Sequence, residues 1–478
     1  MKNMQNFSSE NSLAAFAKYV RELNALSVHS LVMRRHDREI ARLSWQPYDE
    51  RTKHISYSVS KSFTAIGVLF AIQDGLCSLD TKVYDILADE IAFVPDRRIQ
   101  QATLFHLLTM TYGFYEPGIQ KFYLTDDWIK EALSLHPQHD PGSVFFYDNR
   151  CPFLCSAIVQ KLTHMDLLSY LKMKLFNPLE ISSAEIAWEK NCQGYNKGSY
   201  GLSITTAAMA KLGQLILNRG SWNGVQLLSS EYIDMLFKIH IDTNVNDEDS
   251  DENKLGYSFY FWHCRMKNAI RAEGLFGQFL IILPRQDMVI ALHSGIDNEH
   301  KDAVLSSTWD FIKALKSTAD APLIAPAEQE CFHQLHIPLP PNDDIICKKI
   351  IDREFAFARN SLGINKFKIL SADESTLKFS LTLQQKEYIC QLHSNQWQKI
   401  ALGSQNDDDF DSCNTVIFNN PYMAYGWKNK ILTIKIVYNQ GVFIDYLHFK
   451  AVDNKLQLHY LPTPNFTIRA AEQTITST

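Results

Sequence analysis

From Phe63 to Ile72 almost every residue is apolar, with Phe63, Ala65, Ile66, Val68, Leu69, Phe70 and Ile72 falling on nearly every face of a helix that would run from Ser60 to Asp74. A helix apolar all round must be buried all round, so this segment belongs at the centre of whatever the chain folds into. Gly75 supplies its C-terminal stop. At its mouth lies Tyr57-Ser58-Val59-Ser60-Lys61-Ser62, in which a serine and a lysine stand one helical turn apart and Lys61 is the helix's lone charge before Asp74. Burying an unpaired ammonium is costly enough that its pKa falls toward neutrality. A lysine in that state can take a proton from Ser58.

The pattern S-x-x-K is short, and a chain of this composition shows on the order of two matches by chance. Three are present. Ser169 to Lys172 lies in Leu167-Leu168-Ser169-Tyr170-Leu171-Lys172-Met173-Lys174, an amphipathic helix whose lysines face water, and Ser375 to Lys378 leads into a segment that alternates as a strand. Only Ser58 stands at the entrance of a buried helix. Its plain alternative is a helix N-cap serine.

At 478 residues the chain has room for two or three domains, and 46% hydrophobic with 21% charged residues is the composition of a soluble globular protein. A net charge of -6 argues against nucleic acid or an anionic membrane as the main partner. The N-terminal residues show no apolar core or cleavage pattern, and no later segment is apolar enough to cross a bilayer, so the expected location is cytoplasmic. Nine scattered cysteines fit reduced thiols. Cys151 and Cys155, at i and i+4 on a helix, read as buried thiols in preference to a metal or redox pair, and His136-Pro137-Gln138-His139-Asp140 reads as a loop. The acidic runs at 246–253 and 407–411 lack the glycine and terminal glutamate of a calcium loop. No metal and no cofactor are expected.

A helix near Ser12 to Leu23 precedes a strand hairpin at 30–35 and 40–45, after which helices dominate to about Leu236, among them 104–109, 127–135, 151–162 and 207–217. Strands return at 277–283 and 288–293, and 303–315 closes with a helix. This order predicts an α+β fold, an antiparallel sheet flanked by helices. Proline-rich sequence from about Ala319 to Asp343 marks a linker, and beyond it strand-like segments at 366–370, 376–383, 388–392, 414–418, 431–437, 442–449 and 455–461 predict a small all-β barrel or sandwich. The expected domains are 1–320, a linker over 321–345, and 346–478.

Two further groupings carry chemistry. Tyr147 and Asn149 in Phe146-Tyr147-Asp148-Asn149 project from a loop at a helix entrance, and Leu292-His293-Ser294-Gly295-Ile296 ends an apolar strand where Gly295 permits close backbone approach. With Ser58 and Lys61, these resemble the ordered set S-x-x-K, Y-x-N and K/H-x-G of the serine β-lactamase and penicillin-binding family. The resemblance covers most of residues 28 to 316. Thr103-Leu104-Phe105-His106-Leu107-Leu108-Thr109-Met110-Thr111-Tyr112-Gly113 is similar to the family's H-L-L-T-x-T-S-G segment, Tyr200-Gly201-Leu202-Ser203-Ile204-Thr205 to its G-G-L-x-S/T-T stretch, and Gly274-Leu275-Phe276-Gly277-Gln278 to its G-x-x-G-Q. The match is nearest to the class C, esterase and D-aminopeptidase branch, some of whose peptidases append a lipocalin-like barrel.

The resemblance implies the β-lactamase/transpeptidase-like fold and a set of roles. Ser58 forms an acyl-enzyme, and Lys61 and Tyr147 share its proton, with the tyrosine's pKa lowered beside the ammonium. Asn149 holds the substrate amide and steadies Lys61, His293, Ser294 and Gly295 line the substrate site, and the N–H groups of Ser58 and Ile296 form the oxyanion hole. Histidine at 293, where β-lactamases carry lysine, and the absence of an export signal turn the expectation from penicillins and murein toward small esters, amides or D-amino-acid-containing peptides. β-Lactamase or D-alanyl-D-alanine carboxypeptidase-like activity, or a non-turnover ligand-binding protein on the same scaffold, is the alternative. Pocket specificity is expected in the 115–126 loop and a strand from Tyr257 to Trp262. An α/β-hydrolase is unsupported, because no G-x-S-x-G is present.

Overall fold

The structure, a computed structural model, describes residues 9–115, 122–244, 250–315, 335–343, 345–400, 421–464 and 471–478. After helix α1 (Ser9–Ala25), the hairpin of β1 (Val28–Arg35) and β2 (Arg38–Ser44) opens an antiparallel sheet completed much later by β3 (Trp262–His263), β4 (Ile270–Gly274), β5 (Gln278–Leu283) and β6 (Met288–Ser294). The strand order is β2-β1-β6-β5-β4-β3. Strand β6 is buried at every position, as a central strand covered on both faces must be.

Alternate residues along β5 serve two cores. Phe279, Ile281 and Leu283 pack under α1 and α5 (Lys301–Ala314) with Phe16, Leu23 and Trp309, whereas Leu280 and Ile282 face α2 (Val59–Gln73), α3 (Arg150–Thr163) and α4 (Thr206–Leu217). This period of two is the pleat of the sheet expressed as packing. Helix α4 lies close against the strands at Gly213, where an added Cβ would meet Val289 Cγ1 at 2.5 Å. Helix α2 runs through the second core with every residue from Val59 to Ala71 buried, and it ends at Asp74 before Gly75 in a left-handed conformation at φ 74°. Its apolar circumference is thus used as the sequence requires.

The α+β architecture stands, but two local expectations are corrected. Strand β4 is not legible in the sequence because its Arg271 and Glu273 are buried charges, which break the apolar alternation that betrays a strand. The segment from Tyr257 to Trp262 is no continuous strand. Tyr257 makes isolated bridges to Ile241 and Trp262, the chain turns at Tyr260, whose φ is 59°, and only Trp262 joins the sheet, as the first residue of β3.

Beyond residue 335 the described chain is all β. A four-stranded sheet (Glu354–Ala356, Ile364–Ala372, Thr376–Leu383, Lys386–His393) and a six-stranded one (Gln398–Lys399, Tyr422–Lys428, Ile431–Val437, Ile444–Val452, Lys455–Thr463, Gln473–Thr476) share one core that includes Phe367, Phe379, Trp427, Phe449 and Leu458. The strand at 422–428 is not legible in the sequence because Ala424 and Gly426 dilute its β-forming residues. The expected strand at 414–418, the acidic run at 407–411, the first half of the run at 246–253 and most of the linker lie outside the described residues. The β region is held against the rest by pairing at Gln46, which exchanges backbone hydrogen bonds with Leu335 at 2.9 Å and Ile337 at 2.7 Å, and by the turn from Tyr438 to Phe443.

Candidate active site

Ser58 is the N-cap of α2, at φ -70° and ψ -8°, and its hydroxyl does not cap the helix. The hydroxyl is therefore left for other partners. Lys61, one turn on, reaches back so that Nζ donates to Ser58 Oγ at 2.8 Å and to the carbonyl of Ser199 at 2.8 Å. The preceding Tyr57 is buried with a φ of 45°, an unfavourable conformation for an aromatic residue. Ser60 helps fix it, since Oγ donates to Tyr57 O at 2.5 Å and accepts from Leu202 N at 3.1 Å. Thr64 Oγ1 donates to Gly198 O at 2.8 Å. The hydroxyls of this otherwise apolar helix tie it to the 198–202 segment. Gly198, at φ 65°, sits where a Cβ would come within 2.4 Å of Pro152 O.

Tyr147 approaches from the loop before α3. Its hydroxyl is hydrogen-bonded to the Ser58 side chain, its ring lies 4.8 Å from Lys61 Nζ, and it stacks on Trp262 with centroids 5.7 Å apart. The loop is anchored by Asp148 and Arg150, both nearly fully buried, whose ion pair closes at 2.6 Å. Arg150 also lies 3.8 Å over the Phe114 ring. Asn149 is the N-cap of α3 without a side-chain capping bond, and it contacts neither Ser58 nor Lys61 by hydrogen bonding.

Electrostatics divide the labour. Burial holds the Lys61 amine well below the ordinary lysine pKa, with Asp148 opposing the shift. Burial also raises the Tyr147 phenol above its ordinary value, against the smaller effect of its bond to Ser58. The expected lowering of this tyrosine is overturned: desolvation of the buried phenol is the largest effect on it, and the Glu273 carboxylate adds to the rise.

Ser58 and Tyr147 open onto a cavity of about 460 Å³ whose walls include Tyr115, Phe145, Phe146 and Trp262. Its remaining side is the edge of the sheet at Glu273, Gly274 and Leu275, together with Asn253 and Lys301. Glu273 is bonded to Arg271 Nε at 2.8 Å and paired with Lys301. Burial pushes the Glu273 carboxyl up, and the two cations more than offset this, so it stays ionised.

The strand-end set read from the sequence is not in this cavity. His293 on β6 is fully buried, and both ring nitrogens are occupied: Nε2 lies 3.0 Å from Ser56 Oγ and Nδ1 2.9 Å from Thr206 Oγ1. Ser294 Oγ donates to the carbonyls of Phe276 and Gly277 at 2.8 and 2.7 Å, Gly295 packs on the Val442 carbonyl, and Ile296 N donates to Phe276 O at 3.2 Å. The substrate-binding assignments of His293, Ser294, Gly295 and Ile296 are thereby corrected. Strands β5, β4 and β3 lie beyond β6, and because β3 pairs only with Ile270 and Arg271, β4 is itself the edge of the sheet at Glu273 and Gly274. The sequence does hold a signal for it, since Gly274 opens the G-x-x-G-Q segment.

The other two S-x-x-K matches gather no partners of this kind. Ser169 Oγ donates to Asp166 at 3.0 Å, and Ser375 is an exposed turn residue. Among the described residues no group of three or more His, Cys, Asp or Glu side chains is placed to hold a metal ion, and no helix is long and apolar enough to cross a membrane. Cys151 and Cys155 are buried free thiols.

Comparison with known proteins agrees with this geometry. The family model described as Beta-lactamase matches residues 16–313. Among solved structures, a Bacillus anthracis protein assigned as a 6-aminohexanoate-dimer hydrolase is similar at 20% identity and a TM-score of 0.51, covering 66% of this chain and 87% of its own. A penicillin-binding protein homologue from Caulobacter crescentus gives 11% identity and 0.52, over 65% of this chain and all of its own length at 100%. A family VIII carboxylesterase gives 12% and 0.50, over 65% of this chain and 100% of its own. At these identities the likeness is one of fold.

Proposed function

The chain belongs to the Beta-lactamase family, a family of hydrolases, and from that premise we propose that it is a serine hydrolase working through an acyl-enzyme on Ser58. The observation that carries the reading is the 2.8 Å contact between Ser58 Oγ and a buried, pKa-depressed Lys61 Nζ beside a cavity. Lys61 enters as the neutral amine and takes the Ser58 proton while Oγ attacks the substrate carbonyl. Tyr147 enters protonated, gives its proton to the departing oxygen or nitrogen, and recovers one from the Lys61 ammonium. Water then cleaves the acyl-enzyme.

The second oxyanion donor we assign to Leu275 in place of Ile296. Leu275 lines the cavity, and neither its N–H nor that of Ser58 has a protein acceptor among the described residues. Donors of this kind are worth ~3 kcal/mol of barrier each. The aromatic walls suit an apolar acyl or alcohol portion, and small esters, amides or D-amino-acid-containing peptides are the substrate classes we favour. The solved structures named as a carboxylesterase and a 6-aminohexanoate-dimer hydrolase put ester and amide cleavage among the chemistries this fold hosts. Penicillins fit less well, because the edge strand presents Glu273, a carboxylate, on the side where an anionic substrate would lie.

The test is acylation. A fluorophosphonate or p-nitrophenyl ester is expected to add to the wild-type protein as an intact-mass shift absent from Ser58→Ala. Failure to label Ser58 under conditions that label an active family member would remove the proposal.

A further inference from the structure

We propose that the turn from Tyr438 to Phe443, which belongs to the C-terminal β region, is a positioning element for the nucleophile and acts by holding Tyr57 in its left-handed conformation. The inference rests on Ser58 being the nucleophile. Four observations converge on it. Ile55 N, on the short strand before the nucleophile turn, donates to Gln440 O at 2.9 Å, so the turn is paired to the backbone that leads into Ser58. Tyr48 OH donates to Gly441 O at 3.3 Å on the same stretch. Val442 and Phe443 are buried in a small cluster of their own with Ile55, Tyr57 and Phe276. Within it Phe443 meets Phe276 edge-on at 5.7 Å, and Phe276 meets Tyr57 edge-on at 5.2 Å.

Tyr57 is the hinge of the argument. A tyrosine at φ 45° keeps that conformation only where its surroundings over-determine it. Ser60 fixes its carbonyl from within α2, while its ring is fixed by Phe276, which is in turn backed by Phe443. Rotation of Tyr57 to an ordinary negative φ would swing the next peptide, which carries the N–H and the side chain of Ser58. None of the turn's residues lines the cavity. Its influence on the reaction therefore runs through geometry and not through contact with substrate, and its loss should lower turnover without weakening substrate binding.

The turn is itself braced from the β region. Gly441 N donates to Tyr438 O at 2.8 Å, and Tyr438 OH donates to Asp445 at 2.7 Å. The site is thus assembled from both parts of the chain, although every group that touches substrate lies before residue 302.

The experiment uses the full chain with Phe443→Ala, the conservative Phe443→Leu, and each of these in a Tyr57→Gly background, where a positive φ needs no support. Phe443→Ala is expected to lower kcat on a p-nitrophenyl ester, and the rate of Ser58 phosphonylation, by about 10-fold or more with KM changed less than about twofold. Phe443→Leu should restore most of the rate. In the Tyr57→Gly background the same Phe443→Ala change should cost less than about threefold. Deuterium exchange gives a readout that does not depend on activity: Phe443→Ala should raise exchange in a peptide spanning 55–63 and leave α4 unchanged. An unaltered 55–63 peptide, an unchanged kcat, or an equal loss in both backgrounds overturns the proposal. A wild type that never labels at Ser58 overturns the hydrolase reading instead, and exchange still decides whether Phe443 holds the turn.

Discussion

Lys61 is an amine with almost no access to solvent, whose Nζ finds only a hydroxyl and a carbonyl. That environment suits it to the base's part in the proposed reaction and also makes it destabilising. Its folded pKa lies well below the value of about 10.4 it has in the unfolded chain. Between those two values the unfolded chain binds a proton that the folded one does not, so this group's contribution to stability rises with pH across the interval and is unfavourable below it. Lys61→Met is therefore expected to raise unfolding stability at pH 7 by about 1–2 kcal/mol, and to flatten its alkaline rise in urea melts, while lowering kcat/KM by at least about 10³-fold. In the wild type, kcat/KM should fall as pH drops through the depressed Lys61 pKa. Tyr147, with its pKa raised, should add no loss on the alkaline side near pH 8–9. A pH–rate profile with a basic limb in that range would contradict this division of protons.

At the scale of elements, the site is the meeting of one helix mouth and one sheet edge. Helix α2 presents Ser58, and β4 comes so close that a Cβ on Gly274 would lie 2.3 Å from the Ser56 carbonyl. The backbone can stand that near only because residue 274 has no side chain. Gly274→Ala must push the edge strand off the nucleophile turn, displacing the Leu275 N–H with it. The expected result is a loss of about 10²-fold in kcat, with the fold retained in circular dichroism and the adduct on Ser58 formed slowly. Normal turnover in this variant would remove Leu275 from the oxyanion hole. The helix was legible in the sequence because thirteen consecutive buried residues leave an unmistakable pattern. The edge strand was not, because Arg271 and Glu273 neutralise each other inside the protein and look like surface residues in the chain.

Across the whole molecule, the seam between the two parts is lined by His29, His54 and His293. His29 Nδ1 lies 2.9 Å from His54 Nε2, and the His54 and His293 rings stack at 4.6 Å. All three are buried; burial lowers His54 to about 4 and holds His29 and His293 well below the ordinary histidine value, with neighbouring histidines adding to the effect on His29 and His293. As pH falls below about 6.5 the unfolded chain takes up protons these rings refuse, so stability is present above that pH and is lost down to the folded values. The loss should approach about 1.4 kcal/mol per pH unit for each histidine. Urea midpoints measured at pH 7 and pH 5 should separate widely in the wild type and less in His54→Gln; equal separations would mean that the seam does not govern acid stability.

By itself the sequence determined the buried helix, the serine and lysine at its entrance, the tyrosine loop and the change to an all-β region, because each is written in local periodicity or in residues a few positions apart. Strand order was the work of tertiary structure. Which strand end reaches the cavity depends on pairings across the whole sheet, and they put Glu273, Gly274 and Leu275, and not His293, in its wall. The protonation of Tyr147 was likewise decided only in three dimensions, since desolvation is a property of surroundings that no single stretch of chain contains.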